Sequence, residues 1–371
     1  RTFWVGPFPN VVEKEPNSEF TAAQKVPMNS TVNGVIVNED VDFYEVEVKK
    51  GQQISAEVEA IRLSGALFDP YVAILDSRRF ELAACDDSTL LLQDSVASVI
   101  APKDDVYRIE IRDSSYRGAG NYFYRLHIGH FPRPLIAFPA GGQTGKEIEV
   151  TLMGDPAGTV KKKIKLPADA DPRFGYLPEG NGVTAPSANR IRVSSFPSIR
   201  EVEPNNNWKQ ATATELVLPL AFDGIISKDG DADYFKFKAK KGQRFNIRVH
   251  ARSISSPLDP VLNLRDSTGK SLKGNDDANN GPDSLITYTF TADGEYILSV
   301  YDHLRKGSSH HVYRIETEVF NPEVVASIPY LRQRDSQSRQ MIPVPRGNRV
   351  ATIMNVTRRN FSGELKFLAK N

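Results

Sequence analysis

Cysteine is nearly absent from this chain: among 371 residues only Cys85 carries a thiol. One thiol excludes an internal disulfide framework and a cysteine-based zinc site. It leaves the compartment open, because bacterial secreted proteins often lack disulfides. Charge of one sign is lacking too. Lys and Arg number 47 against 46 Asp and Glu, a net charge of +1, so no bulk field draws nucleic acid or an anionic membrane. No run approaches the ~20 apolar residues of a membrane span. No long stretch repeats apolar residues at the i, i+3, i+4, i+7 spacing of a helix. The chain opens at Arg1 without an initiator Met and is read as a fragment or a processed product, so the missing signal peptide excludes nothing.

Catalytic signatures are equally scarce. The six histidines, His127, His130, His250, His303, His310 and His311, never fall in His-Glu-x-x-His spacing. No Gly-x-Ser-x-Gly elbow and no phosphate-cradling Gly-x-x-x-x-Gly-Lys-Ser/Thr is present. Cys85 follows Ala83-Ala84 and reads as a small buried apolar residue, not a nucleophile. The expectation is a chain with no catalytic centre.

What is present is glycine (25), proline (24) and an apolar fraction of 40%. Many short alternating runs are bounded by Gly, Asp, Asn or Pro. That pattern, in a chain long enough for two to four domains, reads as a series of β-sandwiches. In 42–48, Tyr44, Val46 and Val48 alternate with Phe43, Glu45 and Glu47; in 233–239, Phe235 and Phe237 alternate with Lys236 and Lys238. Successive side chains of a strand face opposite sides, so one set is assigned to core and the other to solvent. Further strands are expected at 54–60, 71–76, 107–113 and 122–128, and again at 245–251, 261–266, 296–302 and 312–319.

These strands belong to an internal repeat. Val11-Val-Glu-Lys-Glu-Pro-Asn17 returns as Ile199-Arg-Glu-Val-Glu-Pro-Asn205. Asp42-Phe-Tyr44 returns as Asp233-Tyr-Phe235, and Lys49-Lys-Gly-Gln52 as Lys240-Lys-Gly-Gln243. Asp69-Pro70, Asp86-Asp87 and Tyr124-Arg125 return as Asp259-Pro260, Asp276-Asp277 and Tyr313-Arg314. Val5, Phe8 and Pro9 likewise pair with Val193, Phe196 and Pro197. The division expected is 1–12 as the last strand of a preceding small module, 13–129 as a first sandwich, 130–199 as a small module, 200–320 as a second sandwich, and 321–371 as a partial third small module. The last rests on Pro345-Arg-Gly347 and an alternating Val350–Val356, which echo Pro139-Ala-Gly141 and Ile148–Leu152.

The opening Glu-x-Glu-Pro-Asn, the Asp-Tyr/Phe-Tyr/Phe strand and Lys-Gly-Gln resemble the bacterial pre-peptidase C-terminal domain family, twice over. Glu201-Val-Glu-Pro-Asn-Asn206 with Asp233-Tyr-Phe235 is the nearer match. The resemblance covers about two thirds of the chain. It implies a secreted or cell-surface, all-β chain: tandem jelly-roll-like sandwiches alternating with smaller immunoglobulin-like modules. It also implies similarity to the collagen-binding domains of clostridial collagenases, where calcium sits at the opening segment. The intervening modules look immunoglobulin-like from Phe138-Pro-Ala-Gly-Gly142 and an alternating strand.

The opening motif has a chemistry of its own. In extended chain, i, i+2 and i+4 face one way, which groups Glu13, Glu15 and Asn17, and likewise Glu201, Glu203 and Asn205, with Asn206 adjacent. Pro16 and Pro204 stiffen each row. Calcium takes six to eight hard oxygens, so a second acidic segment is needed. Each copy supplies one: Glu39, Asp40 and Asp42, and Asp229, Asp231 and Asp233. Such an ion would be structural, clamping the opening segment to its sandwich. The first copy departs from the pattern, since Ser18 replaces Asn206 and the Asp-Gly-Asp step is missing. The alternative is solvated acidic loops in which Asn17 and Asn205 form Asx turns.

Other features read blandly. Asp86-Asp87 and Asp276-Asp277 are turns after a core strand, or a further surface site. Gly141-Gly142-Gln-Thr-Gly145 is a turn. Lys161-Lys162-Lys163 and Lys165 form a basic strand that guarding a sheet edge explains as well as an anionic partner does. Trp4, Trp208, Tyr116, Tyr122, Tyr301 and Tyr330 are candidate exposed aromatics; by the collagen-binding analogy, Tyr122 and Tyr301 come first. The functional expectation is a non-catalytic extracellular array for spacing, adhesion, or binding of protein or polysaccharide, beside neighbouring modules of a longer chain, with no nucleic acid and no membrane span. The alternative is the accessory region of a secreted peptidase whose catalytic domain lies outside this chain.

Overall fold

The computed structural model describes residues 5–63, 68–278, 281–321, 323–328, 347, 349, 351, 353–359 and 361–366. The described residues are all-β: the only helices among them are four short 3-10 turns. None is long and apolar enough to cross a membrane. Two compact units form, Arg1–Glu318 and Val319–Asn371.

Within the first unit lie two pairs of five-stranded sheets. One sheet of the first pair runs in the spatial order Asn10–Val12, Ser30–Val35, Phe123–Gly129, Gln53–Glu59, Val96–Ile100; its companion runs Gln24–Lys25, Val41–Val48, Asp105–Asp113, Pro70–Leu75, Glu81–Cys85. The second pair repeats both orders: Ser198–Arg200, Ala221–Ile225, Val312–Val319, Arg244–His250, Leu285–Thr289, and Thr212–Val217, Asp233–Ala239, Gly294–Asp302, Pro260–Asp266, Ser271–Asn275. In each sheet the first pairing is parallel. Each pair of sheets closes on one apolar core drawn from both. Tyr44, Ile54, Val58, Ile109 and Leu126 build the first; Phe222, Phe235, Phe237, Phe290 and Leu298 build the second. The second is the more aromatic, with Phe222 and Phe235 at 5.0 Å between ring centres.

The expected strands fall within two residues of those observed. The alternation in 42–48 needs one amendment. Tyr44, Val46 and Val48 face the core, but Phe43 on the other face is also buried, packed with Ala73, Leu75 and Phe20. The strands Ser30–Val35 and Ala221–Ile225 lie between the opening motif and Asp42 or Asp233. They interrupt their apolar pattern with Asn33-Gly34 and Asp223-Gly224, the glycines for a reason given below.

The small module between the sandwiches has a three-stranded sheet, Ile136–Phe138, Glu147–Met153, Val160–Lys165. Its core is Ala137, Val150, Leu152, Ile164, Ile191 and Val193. The lysine-rich strand is its edge, and only Ile164 of that strand is buried. Gly141 and Gly142 do not form the expected turn. Gly141–Gln143 is a short strand parallel to Arg192–Ser194, and the turn follows at Thr144-Gly145. A Cβ on Gly141 would collide with the Arg192 carbonyl and the Arg314 side chain, so glycine there serves a close crossing. In the second unit, Glu323–Ser327 pairs antiparallel with Asn355–Arg359. The expected strand began earlier; Pro345, Val350 and Thr352 lie outside the described residues.

Charge fixes the joint between the small module and the second sandwich. Arg314 is fully buried. Its Nη1 donates to Asp223 Oδ2 (2.7 Å) and Ser198 Oγ (2.8 Å), its Nε to Glu316 Oε1 (2.8 Å) and its Nη2 to Ser194 Oγ (3.0 Å). Arg192 of the small module donates to the other Glu316 oxygen at 2.7 Å. Removing one member of such a buried set strands the others' charges. Arg314→Met should destabilise this joint by about 3–5 kcal/mol in equilibrium unfolding. A loss under about 1 kcal/mol would contradict the assignment.

Candidate metal centre

The strands Asn10–Val12 and Ser198–Arg200 end just before the acidic motif. The chain then leaves the sheet, and the two glutamates of each motif part company. The bonds Glu15–Pro16 and Glu203–Pro204 are cis. The expected single-faced row is replaced by two groups.

In the outer group, Glu203, Asp231 and Asp233 each offer an oxygen within 4.8 Å of the others, and Glu15, Asp40 and Asp42 do the same. Both aspartates are buried in each set and both glutamates are exposed. Asn205 and Asn17, fully buried, sit against these sets. The Asn205 side-chain oxygen position lies 3.2 Å from Glu203 Oε2 and 3.1 Å from Asp233 Oδ1; for Asn17 the corresponding distances are 2.8 Å to Glu15 Oε2 and 3.1 Å to Asp42 Oδ1. An amide turned to present its NH₂ satisfies both carboxylates. An amide presenting its oxygen adds a further hard donor to them. The donor set suits a hard cation: three carboxylates and an amide oxygen converge, the exposed glutamate leaves room for water, and no soft ligand intrudes. The first copy matches the second despite its sequence departure; its Ser18 Oγ bonds Asp40 Oδ1 at 3.1 Å.

Asp229 and Asn206 are not brought in. Asp229 is exposed and accepts from Lys306 Nζ (2.9 Å) and Gly307 N (3.0 Å), and Asn206 is exposed.

The inner group was not legible in the spacing. Glu13 and Glu201 turn inward to a buried tyrosine. Tyr124 Oη lies 2.9 Å from Glu13 Oε1 and 2.5 Å from Asp42 Oδ2; Tyr313 Oη donates to Asp233 Oδ2 at 2.6 Å. Burial drives both phenols well above their ordinary range, so each keeps its proton. Glu13 Oε2 accepts from Val35 N (3.0 Å) and Glu201 Oε1 from Ile225 N (2.9 Å). Glu201 Oε2 is buried with no donor in reach, yet it faces Asp233. A proton between the two carboxyls satisfies both. Burial first, then the neighbouring Asp233, pushes Glu201 up to about 10; burial pushes Asp233 up to about 7. In the first copy, burial and Glu13 raise Asp42 to about 10. Gly34 and Gly224 are required here, since a Cβ on either would run into the tyrosine hydroxyl and the glutamate.

Asp86 and Asp276 lend backbone carbonyls to Ser95 and Ser284 after a strand end. Tyr116 lies under Arg112 (4.5 Å) and Tyr301 under Arg305 (3.7 Å); Tyr122 stacks on Phe68 at 5.8 Å. Trp208 is 37% exposed and rests on Gly269. Trp4 and Tyr330 lie outside the described residues.

A proton held by folded but not by unfolded chain stabilises the fold below the ordinary carboxylate range, and that stabilisation is lost as pH rises through about 7 and on towards 10. Buried His250 and half-buried His311, held below the usual imidazole range, act in the opposite sense, so the comparison is between variants: in EDTA, Glu13→Gln with Glu201→Gln should shift the slope of melting temperature against pH from 5 to 8 in the positive direction. An unchanged slope in the double variant would refute the shared proton.

Comparison with known proteins adds the following. A stretch of 99 residues, 26% of this chain, is 42% identical to a protein of Deinococcus radiodurans described as a probable subtilase-type serine protease, of whose length it covers 14%. Among solved structures, the pre-peptidase C-terminal domain of a Bacillus anthracis collagenase is similar at TM-score 0.24 and 15% identity, over 29% of this chain and 96% of that one. The secreted serine protease VesC from Vibrio cholerae is similar at TM-score 0.20 and 9% identity, over 79% of this chain and 48% of that one. Residues 231–302, which open on the buried Asp231 of the acidic set, match the family model of the bacterial pre-peptidase C-terminal domain.

Proposed function

We propose that this chain is the accessory region of a secreted peptidase: two pre-peptidase C-terminal sandwiches of jelly-roll type, an immunoglobulin-like module between them, and the start of another after 320. It holds and spaces; it does not cut. The observation that carries this reading is the 99-residue stretch at 42% identity to a subtilase-type protease, together with the domain match at 231–302. The repeated sheet order supports extending that domain type to residues 13–129. The test is made on the complete polypeptide that contains this chain. It should carry a peptidase domain. Deleting this region should leave cleavage of a short peptide within about twofold and slow cleavage of a large or insoluble protein severalfold. A complete polypeptide without a peptidase domain would end the reading.

Calcium belongs to the same proposal as a structural ion. In each sandwich Glu15, Asp40, Asp42 and Asn17, or Glu203, Asp231, Asp233 and Asn205, would hold it, tying the opening segment to the strand that begins at Val41 or Asp233. The ion would supply charge balance and cross-linking. Millimolar calcium should stabilise the chain by roughly 1.5–3 kcal/mol, as expected for a ligand at 10–100 times its dissociation constant. EDTA should reverse the gain, and Asp40→Asn with Asp231→Asn should abolish it. Identical melting curves in calcium and in EDTA would remove calcium from the account.

A further inference from the structure

The two sandwiches are equivalent strand for strand, but the end of the sheet face that holds Val312 is covered in the second, while the matching end that holds Phe123 is open in the first. In the second, Val312, Ile254 and Ile225 lie on the outward face of the sheet. Ile136, Ala140, Phe138 and Met153 of the small module pack against them, leaving Val312 at 0% and Ile254 at 4% exposure. Register identifies their counterparts. Val312 pairs with Ile225 across the strands as Phe123 pairs with Val35, and Leu63 ends the 3-10 turn Ile61–Leu63 as Ile254 ends Arg252–Ile254. In the first sandwich these residues line a groove of about 420 Å³, with Val12 on its wall, Gly34 and Tyr124 in it and Arg125 beside them. Phe123 is 53% exposed and Val12 71%.

The segment leading into each sandwich also sits alike. Ser194 receives a hydrogen bond from Arg314, and Gly6, its counterpart in the repeat, lies against Arg125, so that a Cβ there would be 2.8 Å from Nη2. Asn10–Val12 then joins Ser30–Val35 in parallel, as Ser198–Arg200 joins Ala221–Ile225. The charges differ in a telling way. On the second face Asp223 and Glu316 outnumber Arg314, and Arg192 of the small module supplies the missing cation. On the first face Asn33 stands where Asp223 does, and Arg125 is matched by Glu59 at 2.5 Å. His127 and Glu59 (3.5 Å) exchange the places of Glu316 and His250 (3.6 Å). The first face is self-balanced and asks for an apolar, uncharged occupant.

We infer that the Phe123 groove is the docking face for a further copy of the small β-module, carried on the polypeptide that runs into Gly6 and seated as residues 130–199 seat on the second sandwich. The occupant presents an apolar strand like Ile136–Phe138 to Phe123, Leu63 and Val35 and needs no counterpart of Arg192. The inference builds on the module-array reading, but its failure would leave the peptidase association and the calcium site untouched, since neither uses this face.

The test grafts a second copy of residues 130–193 ahead of Gly6 in the full chain and follows hydrogen exchange by mass spectrometry. Peptides spanning 61–63 and 123–129 should exchange at least tenfold more slowly than in the ungrafted chain. Phe123→Asp should restore the faster exchange while leaving peptides in 312–319 unchanged. Equal exchange with and without the graft overturns the inference. So does a groove that slows only when a saccharide or matrix peptide is added. Should the graft itself not fold, a swap within the natural chain decides. Val312→Phe, Ile254→Leu and Ile225→Val together place the first groove under the existing small module. Peptides in 312–319 should then stay protected within about threefold, whereas Val312→Asp opens them. A swap that opens them as fully as Val312→Asp also overturns the inference.

Discussion

A strand with both faces buried organises each half of this molecule. Val312–Val319 lies in the middle of its sheet. Tyr313 and Ile315 point into the sandwich core, while Val312, Arg314 and Glu316 point out and are buried all the same. An outward face can be dry only if something covers it, and a dry face carrying Arg314 and Glu316 must be fully paired. The small module meets both demands, through Ile136 and Phe138 for the apolar part and Arg192 and Ser194 for the charged part, with Ser198 of the sandwich's own edge strand beside them. The same strand, through Tyr313, reaches the carboxyl pair beside the acidic set. The joint between modules and the carboxyl pair beside the candidate cation site are thus reached from consecutive residues of one strand, on opposite faces.

The holding and spacing role proposed above has a physical basis in that arrangement. Polar chemistry in the described residues is spent on satisfying buried backbone and charge. Asp94 and Asp283 each accept three backbone amides at equivalent turns, and Asp113 and Asp302 cap equivalent loops. Carboxylates locked this way rigidify turns and are poorly placed to exchange protons with a substrate. The acidic sets differ only in having an exposed member, Glu15 or Glu203, which is what admits a hydrated ion.

The strands were legible because alternation and glycine-bounded runs are local properties. Asp233–Ala239 and Val312–Val319 fall on the residues their pattern indicates. The acidic residues that converge were legible as a set, but their partition was not. Spacing of two assigns Glu201 and Glu203 to one face only while the chain stays extended, and it leaves the sheet after Arg200. The role of Tyr124 and Tyr313 was hidden for another reason: they lie more than a hundred residues from Glu13 and Glu201, and only the sheet order brings them near. Gly34 and Gly224 could have signalled it, as paired glycines inside strands mark a close approach. Gly141 was misassigned because a turn and a tight crossing ask for the same residue.

The account stands on two equivalent positions, Val312 covered and Phe123 open. In a Cys85→Ser chain, cysteine placed at 123 or at 312 and treated with a maleimide under native conditions tests that directly. The residue at 123 should react faster by about two orders of magnitude or more, since modification at 312 must await opening of the joint. Equal rates at the two positions would contradict the account.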